Sequence, residues 1–176
     1  THISAAVGAL TWMLVEWLKT GKPTVVGIAT GMVAGLATIT PASGTVGPQG
    51  ALLIGFLAGF VCFYATQIIK GYFKIDDSLD VFPVHGVGGI LGILMLAFVG
   101  KPDGFLGSGA TGFDPSVFEQ FMIQLQGVLV ICIWTLVFSW IALKITSFVT
   151  DLRVSDENEH EGLDLAEHNE RSYITG

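Results

Sequence analysis

PTVVGIATGMVAGLATITPASGTVGPQGALLIGFLAGFVCFYATQII, residues 23–69, contains no Asp, Glu, Lys, Arg or His. A helix that crosses the apolar core of a bilayer needs about 20 residues, so this stretch is too long for one crossing. The string TPASGTVGPQG at 40–50 interrupts it, and Gly, Pro and Ser favour turns. The stretch therefore predicts two membrane-spanning helices, over about 24–40 and 49–69.

Three more apolar segments flank this pair, at about 1–18, 82–100 and 117–149. All five are predicted to be helices, because lipid cannot satisfy the backbone of an open sheet. The last would be roughly 50 Å long at about 1.5 Å per residue, so it must tilt or project beyond the membrane. The predicted fold class is all-α, a polytopic membrane bundle of five transmembrane helices.

The distribution of charge divides the chain in two. Charged residues make up 13% of the sequence and mean hydropathy is +0.66, whereas an ordinary soluble domain carries about 25% charged residues. Residues 1–150 hold six basic and seven acidic side chains, and residues 151–176 hold two and eight. We expect a transmembrane bundle over 1–150 and an acidic cytoplasmic tail over 151–176. The absence of a basic cluster argues against nucleic acid as a partner.

Lysine and arginine near the ends of membrane spans are retained on the cytoplasmic side. With five spans the two ends of the chain lie on opposite sides, and a cytoplasmic C-terminus leaves only Lys101 outside. The basic residues then inside are Lys19, Lys22, Lys70, Lys74, Lys144 and Arg153. The sequence predicts an N-terminal end outside and a C-terminus inside.

Glycines recur at every fourth position in three of the predicted helices. They are Gly27, Gly31 and Gly35 in the second, Gly55 and Gly59 in the third, and Gly88 and Gly92 in the fourth. Such spacing lets helix backbones approach closely. We favour helix-to-helix contact over the alternative, a narrow pore lined by backbone.

His85 is the most informative single residue, because an ionisable side chain inside an apolar span usually faces a cavity, a relay or a partner. Neutral imidazole has one donor and one acceptor nitrogen, so it can hand on a proton or hold a small polar solute. The structural alternative is a core histidine satisfied by a backbone carbonyl. Carboxylates at the mouth of a channel attract cations, and of the nearby carboxylates Asp80 is the better candidate for this role. For Asp76 and Asp77 the alternative, helix-start and turn residues beside a span, is at least as well supported.

The sequence offers no nucleophile–base pair, no metal-ligand spacing and no phosphate-binding loop. We therefore expect no enzyme activity and no cofactor. The chain begins at Thr1 without the layout of a signal peptide, and we interpret it as the C-terminal part of a longer protein.

Three strings together point to a known family: EWLKTGKPTVVGIATGMVAGLATITPASG at 16–44, IDDSLDVFPVHGVGG at 75–89 and LRVSDENEHEGLDLAEHNERSY at 152–173. Along essentially its whole length the chain resembles the second part of the ammonium transporter family. The resemblance implies a homotrimer in the cytoplasmic membrane. It also implies that the five predicted helices are the last five of eleven.

The resemblance also implies roles for particular residues. His85 matches the second of two pore histidines, and Asp80 matches the carboxylate at the cytoplasmic end of the conduction path. Thr30, Val33 and Val81 match positions of the inner vestibule, and Thr40 matches a hydroxyl near the outer recruitment site for ammonium. Glu161, Gly162, Leu163 and Asp164 match the tail signature that contributes to docking of PII-type signalling proteins.

The predicted function is passage of ammonium or ammonia through a hydrophobic pore lined by histidine. An ammonium sensor that acts through a docked or fused signalling partner is the alternative from another class. A Rhesus-type gas channel is a further alternative, which the EGLD tail and the TPASG loop disfavour.

Overall fold

The computed structural model describes residues 1–100 and 116–170, and within these two ranges every regular element is a helix. The α-helices are α1 (His2–Thr20), α2 (Val25–Ile39), α3 (Pro48–Thr66), α4 (Gly88–Val99), α5 (Val117–Ser147), α6 (Asp156–Glu161) and α7 (Leu163–His168). A 3₁₀ turn, Thr40–Ala42, follows α2, and π-helical turns extend α3 through Gln67–Tyr72 and precede α4 at Phe82–Val87. The all-α fold class is confirmed.

The helix ends follow from local capping chemistry. Gly21 ends α1 in the left-handed region with φ of 80°, and its N–H donates to Trp17 O at 2.9 Å. The Thr24 hydroxyl accepts from Gly27 N and starts α2. Pro48 stands in the first turn of α3, where a missing N–H costs nothing.

Helices α1, α2 and α3 form the centre of the bundle through glycine contacts. The carbonyl of Gly8 on α1 would lie 2.7 Å from a Cβ on either Gly31 of α2 or Gly59 of α3. The buried Ser4 hydroxyl donates to Gly35 O at 2.9 Å and joins α1 to α2. The prediction that the spaced glycines mediate helix contact is confirmed for these positions, because any side chain there would collide with backbone.

The fourth helix packs against the second in the same way. A Cβ on Gly92 would overlap Thr38 O, and one on Gly88 would lie 2.9 Å from Thr38 Oγ1. Below this contact, Val84 joins a buried cluster that includes Trp12, Cys62 and Phe63. The π-helical turn that precedes α4 is therefore anchored on α1 and α3 through Val84.

Four segments are long and apolar enough to cross a membrane: Val25–Ala42, Pro48–Tyr72, Phe82–Val99 and Val117–Ser147. These match the predicted spans at 24–40, 49–69, 82–100 and 117–149. Helix α1 occupies the remaining predicted span but falls outside this set, because Glu16 and Lys19 dilute its apolar character. The fifth crossing stays a prediction.

By its contacts the chain forms two compact units, Thr1–Leu129 and Val130–Gly176. In the second unit, Gly162 with φ of 98° separates α6 from α7. Arg153 Nη2 pairs with Glu159 Oε2 at 2.8 Å, and Asn158 Nδ2 donates to Glu167 Oε1 at 2.8 Å. This division concerns packing and does not locate a membrane surface, so the boundary between 150 and 151 stays a prediction.

Candidate functional site

A cavity of about 320 Å³ lies between α2 and the turn that carries His85. It is lined by Val25, Val26, Ala29, Thr30, Val33, Leu79, Val84 and His85. Among these lining residues His85 alone is ionisable, and Thr30 is the other polar one. The cavity thus combines a hydrophobic wall with two side chains that can make hydrogen bonds.

One face of α2 supplies most of the wall. Val26, Thr30 and Val33 follow one another at helical spacings of four and three, which places them on the same side of the helix. The opposite side carries Gly27 and Gly31, which pack toward α1. Because the Thr30 hydroxyl donates to Val26 O at 2.9 Å, its lone pairs remain available to accept hydrogen bonds from a solute.

His85 owes its position to the π-helical turn Phe82–Val87. Its neighbours Pro83 and Val84 are buried, whereas the imidazole is exposed at the cavity. Anchoring of Val84 in the core fixes the orientation of the turn. His85 is therefore an exposed lining residue of this cavity.

Asp77 caps the start of the helical segment that carries His85. This segment, the π-helical turn Phe82–Val87 continued by α4, is called the His85 helix. Asp77 Oδ1 accepts from Val81 N at 2.9 Å and its Oδ2 accepts from Phe82 N at 2.8 Å. These are N–H groups that a helix start leaves without intrahelical partners. The interpretation of Asp77 as a helix-start residue is confirmed.

Asp80 lies directly before the same helix in a different environment. Its backbone has a left-handed φ of 56°, and its Oδ1 lies 3.0 Å from Lys70 Nζ. Asp80 is outside the cavity lining, although its neighbour Leu79 contributes to it. The predicted end-of-path carboxylate is therefore present beside the cavity and is already paired with a cation.

The cavity gathers Thr30, Val33 and His85 from the predicted set but does not include Val81 or Thr40. Val81 is exposed in the first turn of the His85 helix. Thr40 lies beyond the other end of α2, where its hydroxyl donates to Leu36 O at 2.6 Å. The tail residues lie in the second unit: Glu161 ends α6, Gly162 is the bend, and Leu163 and Asp164 begin α7.

Sequence reasoning missed a role for Glu16. Its Oε2 accepts from Thr24 N at 3.1 Å, and its Oε1 accepts from the Thr24 hydroxyl at 2.9 Å. A Cβ on Gly27 would overlap the Glu16 carboxylate, which would then have to shift. The carboxylate therefore holds the first turn of α2, which carries Val25 and Val26 into the cavity wall.

No group of three or more His, Cys, Asp or Glu side chains within residues 1–100 and 116–170 is placed to hold a metal ion. What the described cavity offers is an apolar wall, one imidazole and one hydroxyl. Such an arrangement suits reversible contact with a small polar molecule.

The sequence profile described as Ammonium Transporter Family matches residues 1–173. The chain belongs to the ammonium transporter family. It is 39% identical over 173 residues to an ammonium transporter of Aquifex aeolicus, covering 98% of this chain and 40% of that protein. It is 38% identical over 174 residues to the ammonium transporter Amt1 of Archaeoglobus fulgidus, covering 98% and 43%.

Solved structures give the same result. A structure named Sensor Amt Protein matches with a TM-score of 0.82 at 30% identity, over 94% of this chain and 40% of that one. Mep2 of Saccharomyces cerevisiae matches with a TM-score of 0.75 at 32% identity, over 89% and 36%. The chain therefore spans about two-fifths of the length of these relatives.

Proposed function

We propose that this chain forms one part of the conduction path by which an ammonium transporter moves ammonium or ammonia across a membrane. The observation that carries the proposal is the apolar cavity at which His85 is the single ionisable lining residue. Two curated relatives, 39% and 38% identical to this chain, are named ammonium transporters. Apolar walls with one imidazole suit a solute that crosses in a neutral form.

The chemistry of desolvation supports passage of ammonia. Moving an ammonium ion into an apolar tube costs many kcal/mol, whereas moving neutral ammonia costs far less. Loss of a proton before entry resolves this conflict, and a neutral imidazole can then accept or donate a hydrogen bond to the passing molecule. In this scheme His85 accepts and donates the proton, and the Thr30 hydroxyl offers a hydrogen-bond acceptor on the α2 side of the cavity.

The other site residues extend the path in both directions. Thr40 lies ten positions along the chain from Thr30, which corresponds to roughly 15 Å of helix. This separation supports a role for Thr40 near the entry site. Asp80 and Val81, at the start of the His85 helix, stand near the opposite end.

Membrane embedding in the cytoplasmic membrane is part of the proposal, with the N-terminal end of the chain outside and the C-terminus inside. The distribution of lysine and arginine supports this orientation. We also propose a homotrimer, on the family resemblance. Broad exposed apolar surfaces on α5 suit contact with lipid or with further protein.

For the tail we propose docking of a PII-type signalling protein at the cytoplasmic face, through Glu161, Gly162, Leu163 and Asp164. The resemblance in this region motivates the assignment. The geometry supports it, because the hydrogen bond from Asn158 to Glu167 joins α6 to α7, and the ion pair between Arg153 and Glu159 joins α6 to the segment before it. Its carboxylates remain on the surface.

An ammonium sensor is the second candidate, because one well-matching structure carries the name Sensor Amt Protein. A sensor would bind ammonium and signal without sustained flux. Transport is preferred, since the curated relatives are named transporters. Flux measured in proteoliposomes separates the two, because a sensor would retain signalling when flux is absent.

Replacement of His85 tests the proposed path. In the full-length transporter, His85→Ala should lower ammonium uptake by about tenfold or more, because the path loses its proton-handling group. Uptake and its dependence on pH are measured with purified protein in liposomes. His168→Ala in the tail is the control and should leave uptake unchanged. Flux, selectivity and pH dependence that all match the wild type in His85→Ala would refute the assignment.

A further inference from the structure

An ion pair closes the base of the loop that leads to His85. Lys70 lies in the π-helical turn that extends α3, and Asp80 lies directly before the His85 helix. The distance from Lys70 Nζ to Asp80 Oδ1 is 3.0 Å. The pair therefore joins the two ends of a loop whose last residue, Leu79, lines the cavity.

The carboxylate of Asp80 is free for this pairing because another residue caps the helix. Asp77 satisfies the N–H groups of Val81 and Phe82. Asp80 contributes only its backbone carbonyl, which accepts from Val84 N at 3.0 Å. Its side chain is consequently not needed to start the helix.

Burial within the pair is unequal. The Asp80 side chain is 17% exposed and the Lys70 side chain 41%. Asp80 Oδ1 is shielded from solvent and makes no well-directed hydrogen bond within the described residues, so the nearby ammonium group of Lys70 is what compensates its charge. A shielded carboxylate without a cation is strongly unfavourable, whereas an exposed lysine without its partner turns to water.

The head group of Lys70 is itself a substituted ammonium ion, with the same charge and the same kind of N–H donors as the proposed substrate. It occupies the position on Asp80 Oδ1 that a free ammonium ion would otherwise take. We propose that Lys70 is a positioning residue that saturates Asp80, so that this carboxylate does not retain the transported cation. The inference rests on the proposed function and reverses the expectation that Asp80 attracts cations.

Two hypotheses, saturation of Asp80 by Lys70 and collection of cations by Asp80, predict opposite rankings of the variants by uptake. If Lys70 saturates Asp80, Lys70→Met lowers uptake by about tenfold, because the unpaired carboxylate recruits a cation from solution. Asp80→Asn should cost only about threefold, and the double variant should recover to that level, since an amide needs no counter-charge. Lys70→Arg should stay within about twofold of the wild type, because the charge is kept. If Asp80 instead collects cations, Asp80→Asn is the more damaging change and the double variant does not recover.

Uptake is measured with the full-length transporter in liposomes, at matched protein amounts. Lys74→Met is the matched control, because Lys74 is an exposed lysine in the same loop, and it should leave uptake unchanged. Recovery in the double variant shows that the loss in Lys70→Met arises from the unpaired Asp80 carboxylate. Equal losses in Lys70→Met and Lys74→Met would overturn the proposal.

A binding measurement tests, independently of flux, whether Asp80 retains ammonium once Lys70 is replaced. Purified Lys70→Met protein should gain about 2 °C in thermal midpoint on addition of ammonium chloride, relative to the chloride of a bulky organic cation. The wild type should show a smaller rise than Lys70→Met. In the double variant the rise should return to the wild-type value. Its absence in Lys70→Met would overturn the role of Lys70. Absence of uptake by the wild type would instead overturn the proposed function, and the thermal comparison would still report on Lys70.

Discussion

Glu16 shows how one carboxylate can organise a site from a distance. It accepts two hydrogen bonds from Thr24, and Thr24 in turn caps Gly27 at the start of α2. The helix that begins there supplies Val25, Val26 and Thr30 to the cavity. The first turn of α2 therefore depends on a residue that belongs to α1.

Glu16→Ala should destabilise the full-length protein by about 2 kcal/mol, because the N–H and hydroxyl of Thr24 both lose their acceptor. The thermal midpoint of the detergent-solubilised protein measures the effect. Glu16→Gln is the matched variant and should lose less, because its amide oxygen can still accept one of the two bonds. Equal stability of Glu16→Ala and the wild type would show that the turn needs no side-chain anchor.

A functional candidate is evident from the sequence alone when its residue type is unusual for the segment that contains it. His85 is evident because it is ionisable within an apolar span, whereas Thr30 and Val33 were indicated only by the family resemblance. Glu16 and Lys70 were not predicted to have partners, because those partners lie eight and ten positions away in the sequence, across a change of chain direction. Such pairs depend on where a loop returns, which side-chain spacing within a helix does not encode.

Close packing of whole helices was the best-predicted feature of the fold. The fourth-residue spacing of glycine indicated contact, and Gly31, Gly59 and Gly92 all face backbone or Cβ atoms of a neighbouring helix. The fifth crossing stays a prediction, because α1 mixes apolar residues with Glu16 and Lys19. The π-helical turns around residues 67–72 and 82–87 had no clear signal in sequence.

Helix α4 provides a matched pair of glycines to test this packing. A Cβ on Gly92 would overlap the Thr38 carbonyl of α2, whereas a Cβ on Gly89 would meet nothing within 4 Å. Gly92→Ala should therefore destabilise the full-length protein by about 2 kcal/mol through overpacking. It should also reduce uptake, because α4 continues directly from the turn that carries His85.

Gly89→Ala should leave stability unchanged or raise it by up to about 1 kcal/mol, because alanine favours a helix interior. Thermal unfolding of both variants in the same detergent makes the comparison. If the two substitutions had equal effects, contact between α2 and α4 through Gly92 would not limit the packing of the bundle.

Across the whole molecule, charge and hydropathy indicated an apolar bundle followed by an acidic tail. Residues 151–170 of that tail include the short helices α6 and α7. Helix α6 is stabilised by Ser155, whose hydroxyl accepts from Asn158 N, and by the ion pair between Arg153 and Glu159. Composition alone predicts an acidic segment that is largely disordered or only partly helical, and these contacts stabilise its helical part.

The bend at Gly162 provides a test of the proposed docking surface. Gly162 has φ of 98° and ψ of 127°, a conformation that side chains rarely adopt, yet no atom lies within 4 Å of a Cβ placed there. Gly162→Ala should thus cost about 1–3 kcal/mol in backbone strain and alter the angle between α6 and α7 without a steric clash. We expect weaker binding of the cognate PII-type protein, measured by surface plasmon resonance on the full-length transporter.

Deletion of residues 151–176 should weaken that binding further, because it removes the Glu161–Asp164 surface altogether. Gly44→Ala is the control, since a Cβ there also meets nothing within 4 Å and its backbone has no positive φ. Uptake in the absence of the PII-type protein should persist in Gly162→Ala, because the cavity residues lie in the other compact unit. Unchanged affinity in both the deletion and Gly162→Ala would place the docking surface elsewhere on the protein.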